Sequence, residues 1–320
     1  MDLVAGIDIG GTKTKLALVD KSGSCLARVD FRTKEYPDLE KYLDNVKLSI
    51  DEMIEKTSAE VNLLGIGIGA PNASSHRGTI EHASNLLWKG IVPLVDKLKE
   101  RIDLPIRITN DANVAAIGEM LFGNAKGMKD FVVITLGTGL GSGIVSNGKL
   151  VQGYDGFAGE LGHFGVLAED GRLTGLGVKG GLEAYVSATG LKRTILYMMS
   201  KYMEDSRFRS IAFNDLHGEE ITQAAEEGDF IALKAFEYTG EILGKALANF
   251  TTFSQPEAFF LVGGLALSGS WIFDPTKRHL EENLLEVYRG KVKLLPSGME
   301  NKNSAVSGAA ALIWSDHTSE

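Results

Sequence analysis

Cysteine is almost missing. The 320 residues contain one, Cys25, which cannot close an intramolecular disulfide and fits a reducing compartment. Positive charge is in deficit: 33 Lys and Arg face 42 Asp and Glu, a formal net charge of −9. That balance argues against a nucleic-acid partner, which needs a basic face. Long apolar runs are missing too. The most apolar stretch, AFFLVGGLAL over 258–267, falls far short of the ~20 residues that span a bilayer. The opening MDLVAGIDIGG carries Asp2 and no basic segment, unlike a secretory signal. These absences predict a soluble, cytoplasmic protein that acts neither on nucleic acid nor at a membrane.

Glycine is in excess. It supplies 38 of 320 residues, about 12% against a usual ~7%. No Gly-X-Y period is present, so the excess belongs to turns and ligand-facing loops. The length suggests about two domains. LVAGIDI (3–9), KLALVD (15–20) and CLARVDF (25–31) read as strands joined by hairpins, and Leu39, Tyr42, Leu43, Val46, Ile50, Met53 and Ile54 line one face of a helix over 38–56. Strand 63–69, helix 92–101, strand 106–109 and helix 112–122 follow. Hairpins early and helical connections later predict a mixed sheet.

The pattern then restarts. FVVITLGTGLGSGIVSNGKLV (131–151) repeats the strand, Gly/Thr turn, strand and Ser/Asn-Gly turn of residues 3–26, placing Gly137-Thr138-Gly139 over Gly10-Gly11-Thr12. Two similar halves so far apart indicate an internal duplication. Helices are predicted over 181–204, 219–253, 276–289 and 304–314, strands over 257–262 and 291–295, and an irregular segment over 205–217.

Asp8-Ile9-Gly10-Gly11-Thr12 puts a carboxylate at a strand end and two glycines in the following turn. Such a turn offers backbone N–H groups to a phosphate, with Asp8 placed to hold a metal-bound water. Alone it is more often an ordinary hairpin turn than a site. The second copy, Gly137-Thr138-Gly139, strengthens a polyphosphate reading, although no Walker A loop is present. Lys13 and Lys15 are phosphate contacts or solvated hairpin residues. Asn110 or Asp111 can cap the next helix, or Asp111 can accept a proton at the C-terminal edge of a strand. Glu160 and His163 share a glycine-lined loop, Glu183 lies at the expected start of a helix, and Asn85 precedes Trp88. Carboxylates and amides of this kind line sugar pockets. Gly263-Gly264, after a buried strand, admits a flat ligand such as adenine or tight backbone packing.

Together these residues resemble the ROK family of sugar kinases and sugar-responsive repressors, in particular its glucokinase branch. The likeness runs from Asp8-x-Gly-Gly-Thr to Ser307-Gly308-Ala309-Ala310, and its most specific parts are Asn-Asp-Ala-Asn (110–113), Gly137-Thr138-Gly139 and Gly-Glu-Leu-Gly-His (159–163). It implies an actin-like (ribonuclease H-like), duplicated two-domain α/β fold with ATP and sugar in an interdomain cleft. The smaller domain is expected over 1–111 plus 304–320 and the larger over 112–303. By the same resemblance Asp111 is the general base for the 6-hydroxyl. Asn85, Asn110, Glu160, His163 and Glu183 bind the sugar, residues 10–13 and 137–139 hold phosphate, and Gly263-Gly264 lies by the adenosine. Mg2+ with ATP, a hexose (glucose foremost) and a homodimer are implied.

The chain departs from the family at C-x-C-G-x-x-G-C-x-E, whose three cysteines join the histidine on a structural zinc. Here Thr174, Leu176 and Gly181 replace the cysteines while His163 and Glu183 remain. A tetrahedral zinc needs about four ligands, so none is expected. Asn72 stands where the family has glycine, near the sugar. N-acetylglucosamine, N-acetylmannosamine, mannose, fructose and allose remain alternative acceptors, polyphosphate an alternative donor, and a sugar-sensing regulator the alternative outside enzymes.

Overall fold

A computed structural model describes residues 1–57, 60–166, 171–299 and 304–317. The chain divides into two compact units, Met1–Met128 with Leu150–Gly159 and Ser297–Glu320, and Lys129–Lys149 with Glu160–Pro296.

The first unit holds β1 (Asp2–Ile9), β2 (Lys13–Val19), β3 (Cys25–Arg32), α1 (Leu39–Glu55), β4 (Asn62–Gly69), a small sheet of β5 (Ala73–Ser74), β6 (Thr79–Glu81) and β7 (Ile91–Val92), then α2 (Leu94–Lys99), β8 (Ile106–Thr109) and α3 (Asp111–Phe122). The main sheet has the order β3-β2-β1-β4-β8, with the hairpin pairs antiparallel and β1, β4 and β8 parallel. Successive residues of a strand point to opposite faces. Leu3, Ala5, Ile7 and Ile9 of β1 therefore join a core with Tyr42, Leu43, Val46, Ile50 and Met53 of α1. Val4 faces the other way, into a core completed from the far end of the chain by Val306, Ala310, Ile313 and Trp314.

The second unit repeats the plan. It holds β9 (Phe131–Leu136), β10 (Leu140–Ser146), β11 (Lys149–Leu150), α4 (Ala188–Lys201), α5 (Gly218–Glu226), α6 (Phe230–Ser254), β12 (Ala258–Val262), α7 (Ser270–Asn283) and β13 (Lys293–Pro296). Its sheet runs β11-β10-β9-β12-β13, with β9–β10 antiparallel and β9–β12 and β12–β13 parallel. The two sheets match strand for strand, as the duplication in the sequence predicts.

The last helix, α8 (Ser304–His317), returns to the first unit. Its small residues let its backbone lie directly on the sheet: a Cβ on Gly67 would fall 1.8 Å from the Ala309 carbonyl oxygen. α3 packs on α8 just as closely, since a Cβ on Gly118 would lie 3.0 Å from Gly308 Cα. Hence α3 belongs to the first unit, whose first segment ends at Met128 where the expectation ended it at 111, with 150–159 and 297–299 also on that side.

Three helix expectations are corrected. The helix expected from 181 begins only at Ala188, because Ser187 caps it by accepting the Gly190 N–H, and Glu183 sits in a short 3-10 turn before it. The helix expected over 219–253 breaks at Gly228, whose φ of +83° ends α5 before Asp229 caps α6. The helix expected over 276–289 spans Ser270–Asn283 and carries Pro275 inside it. Proline costs that helix one backbone hydrogen bond, but its ring packs on α6, where a Cβ on Gly240 would lie 2.7 Å from it. Among the described residues no helix is long and apolar enough to cross a membrane.

Candidate active site

In each unit the candidate residues gather at one edge of the main sheet. The register pairs Asp8 with Gly69 and Gly69 with Thr109, so β1, β4 and β8 end together. Turn 10–12 and the Asn110-Asp111 pair leave the same end of the sheet, with β4 between their strands. In the second unit Val262 pairs with Thr135 and Leu261 with Pro296, so turn 137–139 and Gly263-Gly264 share the equivalent edge. The carboxyl ends of parallel strands are where α/β proteins bind ligands.

The first turn is held from behind. Gly10 N–H donates to the Lys13 carbonyl at 2.9 Å, and Thr33 N–H to the Thr12 carbonyl at 3.0 Å. The Thr33 hydroxyl donates to the Gly10 carbonyl at 2.7 Å and meets Thr14, which in turn meets the buried Tyr42 hydroxyl at 3.0 Å. Burial pushes that phenol up beyond its ordinary range, so it stays neutral. Asn85 backs the same turn: a Cβ on Gly11 would lie 2.5 Å from its carbonyl oxygen. The turn and Asn85 are thus brought together. Asp8 is ion-paired with Lys15 at 3.1 Å, whereas Lys13 pairs with Asp30 on β3 at 2.6 Å.

Asn110 is the N-cap of α3, its Oδ1 accepting the Asn113 N–H at 2.8 Å, which leaves its amide NH2 as the group able to donate to a ligand. Asp111 occupies the first helical position with its side chain exposed, in the partial positive charge of the helix N-terminus.

The second turn has a different support. Glu183 lies beneath it, its Oε2 accepting the Leu140 N–H at 3.0 Å and its Oε1 the Gly175 N–H at 3.3 Å. Glycine at 139 is required, because a Cβ there would fall 2.3 Å from Glu183 Oε2. Ala188 N–H and the Thr189 hydroxyl bind the carbonyls of Gly137 and Thr138. Gly137 and Thr138 remain exposed. Glu160 and His163 lie on the adjoining 3-10 turn. Desolvation in a surface recess holds the Glu160 carboxyl above the usual range; His163 partly offsets this and Glu183 adds repulsion. Glu160 is exposed as a whole residue, so the desolvation is that of a recess and not of a core. His163 Nδ1 is buried without a hydrogen-bond partner among the described residues.

Gly263, at φ +101°, lies against the end of β9: a Cβ would be 2.7 Å from the Leu136 carbonyl, just before the turn. Gly264 opens onto a recess of about 480 Å³ lined by Ala188, Leu191, His217, Thr222, Gln223 and Leu267, a volume in the range of small-molecule pockets. The Thr222 and Ser268 hydroxyls, 2.8 Å apart, tie α5 to this segment. Sequence reasoning missed the α5 contribution. Its only signal was the polar face of a short amphipathic helix.

The zinc of the resemblance does not fit these residues. Leu176 is 66% exposed, Gly181 offers no donor, and the Thr174 hydroxyl already accepts the Val178 N–H at 3.0 Å. His163 Nδ1 is one nitrogen where about four ligands are needed. Among the described residues no group of three His, Cys, Asp or Glu side chains is placed to hold a metal ion. Asn72, the other departure, takes φ +50°, a left-handed conformation that asparagine tolerates better than most residues.

Comparison with known proteins bears on the family. The chain is 35% identical over 283 residues to a glucokinase of Halalkalibacterium halodurans, covering 86% of this chain and 84% of that protein. A crystal structure of a ROK family glucokinase from Streptomyces griseus in complex with glucose and AMPPNP is 32% identical, with a TM-score of 0.79 over 97% of this chain and 98% of that one. A xylose repressor of Caldicellulosiruptor bescii is 28% identical over 98% of this chain and 78% of its own length. The family profile itself matches residues 4–316, and the chain belongs to the ROK family.

Proposed function

We propose that this chain is an ATP-dependent glucokinase, transferring the γ-phosphoryl group to the 6-hydroxyl of glucose. The observation that carries the reading is the common sheet edge of the first unit, where a backbone-donor turn and the Asn110-Asp111 helix start emerge together. Asp111 orients the 6-hydroxyl and takes its proton as the new O–P bond forms and the bond to ADP breaks. Such transition states are loose, so positioning outweighs base strength. Backbone N–H groups of turns 10–12 and 137–139 meet the phosphate oxygens. The amide of Asn110 donates to the sugar, while Asn85, Glu160, His163 and Glu183 bind its other hydroxyls. The recess beside Gly264 takes the adenosine. Asp8 would hold a water of the Mg2+ that accompanies ATP, and that ion supplies neutralisation of phosphate charge. By family likeness the protein works as a cytoplasmic homodimer.

The test is coupled ADP release over a panel of hexoses, with ATP, Mg2+ and a no-sugar control. Glucose-dependent release is expected, with turnover in folded Asp111→Ala and Asp111→Asn reduced by ~10²-fold or more. Near-normal turnover in either variant removes Asp111 from the role. Release with another hexose alone refutes glucose and keeps the kinase, and silence with every sugar refutes the kinase.

A further inference from the structure

Residues 171–183 form a hairpin closed on one side chain. Thr174 N–H donates to the Val178 carbonyl at 2.9 Å, Gly177 N–H to the Thr174 carbonyl at 3.0 Å, and Val178 N–H to the Thr174 hydroxyl at 3.0 Å. Gly180 N–H continues the ladder to the Arg172 carbonyl at 2.9 Å. Thr174 is buried within a run that is otherwise exposed from Leu173 to Lys179. The residue after it, Gly175, donates its N–H to Glu183, whose other oxygen receives Leu140 N–H from the edge of the second turn. A chain of bonds therefore runs from the Thr174 hairpin through one carboxylate to the turn at 137–140.

The methyl group of Thr174 has a matching partner. Gly181 adopts φ −64°, ψ 146°, which any residue tolerates, yet a Cβ there would lie 2.7 Å from Thr174 Cγ2 and 3.5 Å from His163 Cα. The tightest limit on a side chain at 181 is thus the threonine methyl at 174, with the Gly162 carbonyl oxygen, 3.2 Å from such a Cβ, a second and milder one. The hydroxyl of Thr174 closes the hairpin, and its methyl lies against Gly181, in the segment that carries Glu183.

We propose that Thr174 is a positioning residue: its hairpin is a metal-free clamp that holds Glu183 beneath the phosphate turn. The clamp acts on the site of the proposed kinase and so rests on that reading for its effect on turnover, though not for its effect on structure. Two readouts separate them. Amide hydrogen exchange over 174–183 is measured in the full-length protein with and without 1,10-phenanthroline, and KM for glucose and for ATP with kcat are measured alongside.

Exchange in the unaltered protein is expected to be indifferent to the chelator. Thr174→Val keeps the shape and removes the acceptor. It should speed exchange at Val178 by about tenfold, the equivalent of one lost hydrogen bond, and raise both KM values by a similar factor with kcat changed less than about threefold. Thr174→Ser, which keeps the hydroxyl, should restore both. The methyl contact is tested by Gly181→Ala, which should raise both KM values, and by Gly181→Ala with Thr174→Ser, which should recover them. The proposal is overturned by chelator-sensitive exchange, by Thr174→Val behaving like the parent, by Thr174→Ser failing as Thr174→Val does, or by no recovery in the double variant. Absence of ADP release with every hexose in the parent refutes the kinase reading instead, and the exchange data still decide the clamp.

Discussion

Glu183→Gln separates two jobs that one side chain holds in this structure. The carboxylate has an oxygen for each of two backbone donors, Leu140 N–H at 3.0 Å and Gly175 N–H at 3.3 Å. A carboxamide has one acceptor oxygen and an NH2, so one of the two N–H groups must face another donor. The shorter bond should keep the oxygen, leaving Gly175 opposed. That bond is exposed and long, so its loss costs less than a buried one, about 0.5–1.5 kcal/mol or a factor of about 2 to 13. That loss should appear in kcat/KM for glucose and for ATP alike, because Glu183 is bonded to the edge of the second turn and its neighbour Leu182 donates its N–H to the Phe164 carbonyl, next to His163. The variant also removes the negative charge that helps raise the Glu160 carboxyl, so the acid limb of the pH–rate profile should move to lower pH. The assay is coupled ADP release, each substrate varied at saturating levels of the other, across the acid range. A raised KM for glucose with KM for ATP unchanged would refute the reasoning and leave Glu183 as a sugar acceptor alone.

Glu160→Gln tests the origin of the raised carboxyl at 160. A carboxyl whose folded-state pKa lies above its unfolded value destabilises the fold as it ionises, and this contribution is absent in acid. The variant, uncharged throughout, should match the parent in acid and melt at higher temperature once the pH passes the folded-state value; a gap that opens on acidification contradicts the assignment. Gly67→Ala tests the seating of α8. The added Cβ would lie 1.8 Å from Ala309 O and 2.6 Å from Ala309 C, both backbone, so the helix itself must shift. Denaturant melts should show a loss at or above the ~1–3 kcal/mol of ordinary overpacking with the m value unchanged, and a loss under ~0.5 kcal/mol would deny the close approach.

The parts of this molecule that were legible beforehand are those set by local rules. Alternating burial in β1, the period of α1 and the repeat of strand, glycine turn and strand each depend on residues a few positions apart. The main sheets accordingly contain the expected strands, and the second repeats the order of the first. Where a distant contact overrules a local rule, the reading slipped. The helix expected from 276 begins instead at Ser270, with Pro275 inside it and Gly240 accepting its ring, and Glu183 reads as a helix-start acid until its oxygens are seen to bind Leu140 and Gly175. The candidate site divides the same way. Its glycine turns were visible because a turn's supply of N–H groups is a property of its own few residues. The groups that hold those turns rigid lie far along the chain, Thr33 behind Gly10 and Glu183 beneath Gly139. No periodicity marks a side chain that reaches 43 residues back to one N–H. Sequence spacing thus singled out the candidate atoms, and the fold shows what keeps them in place.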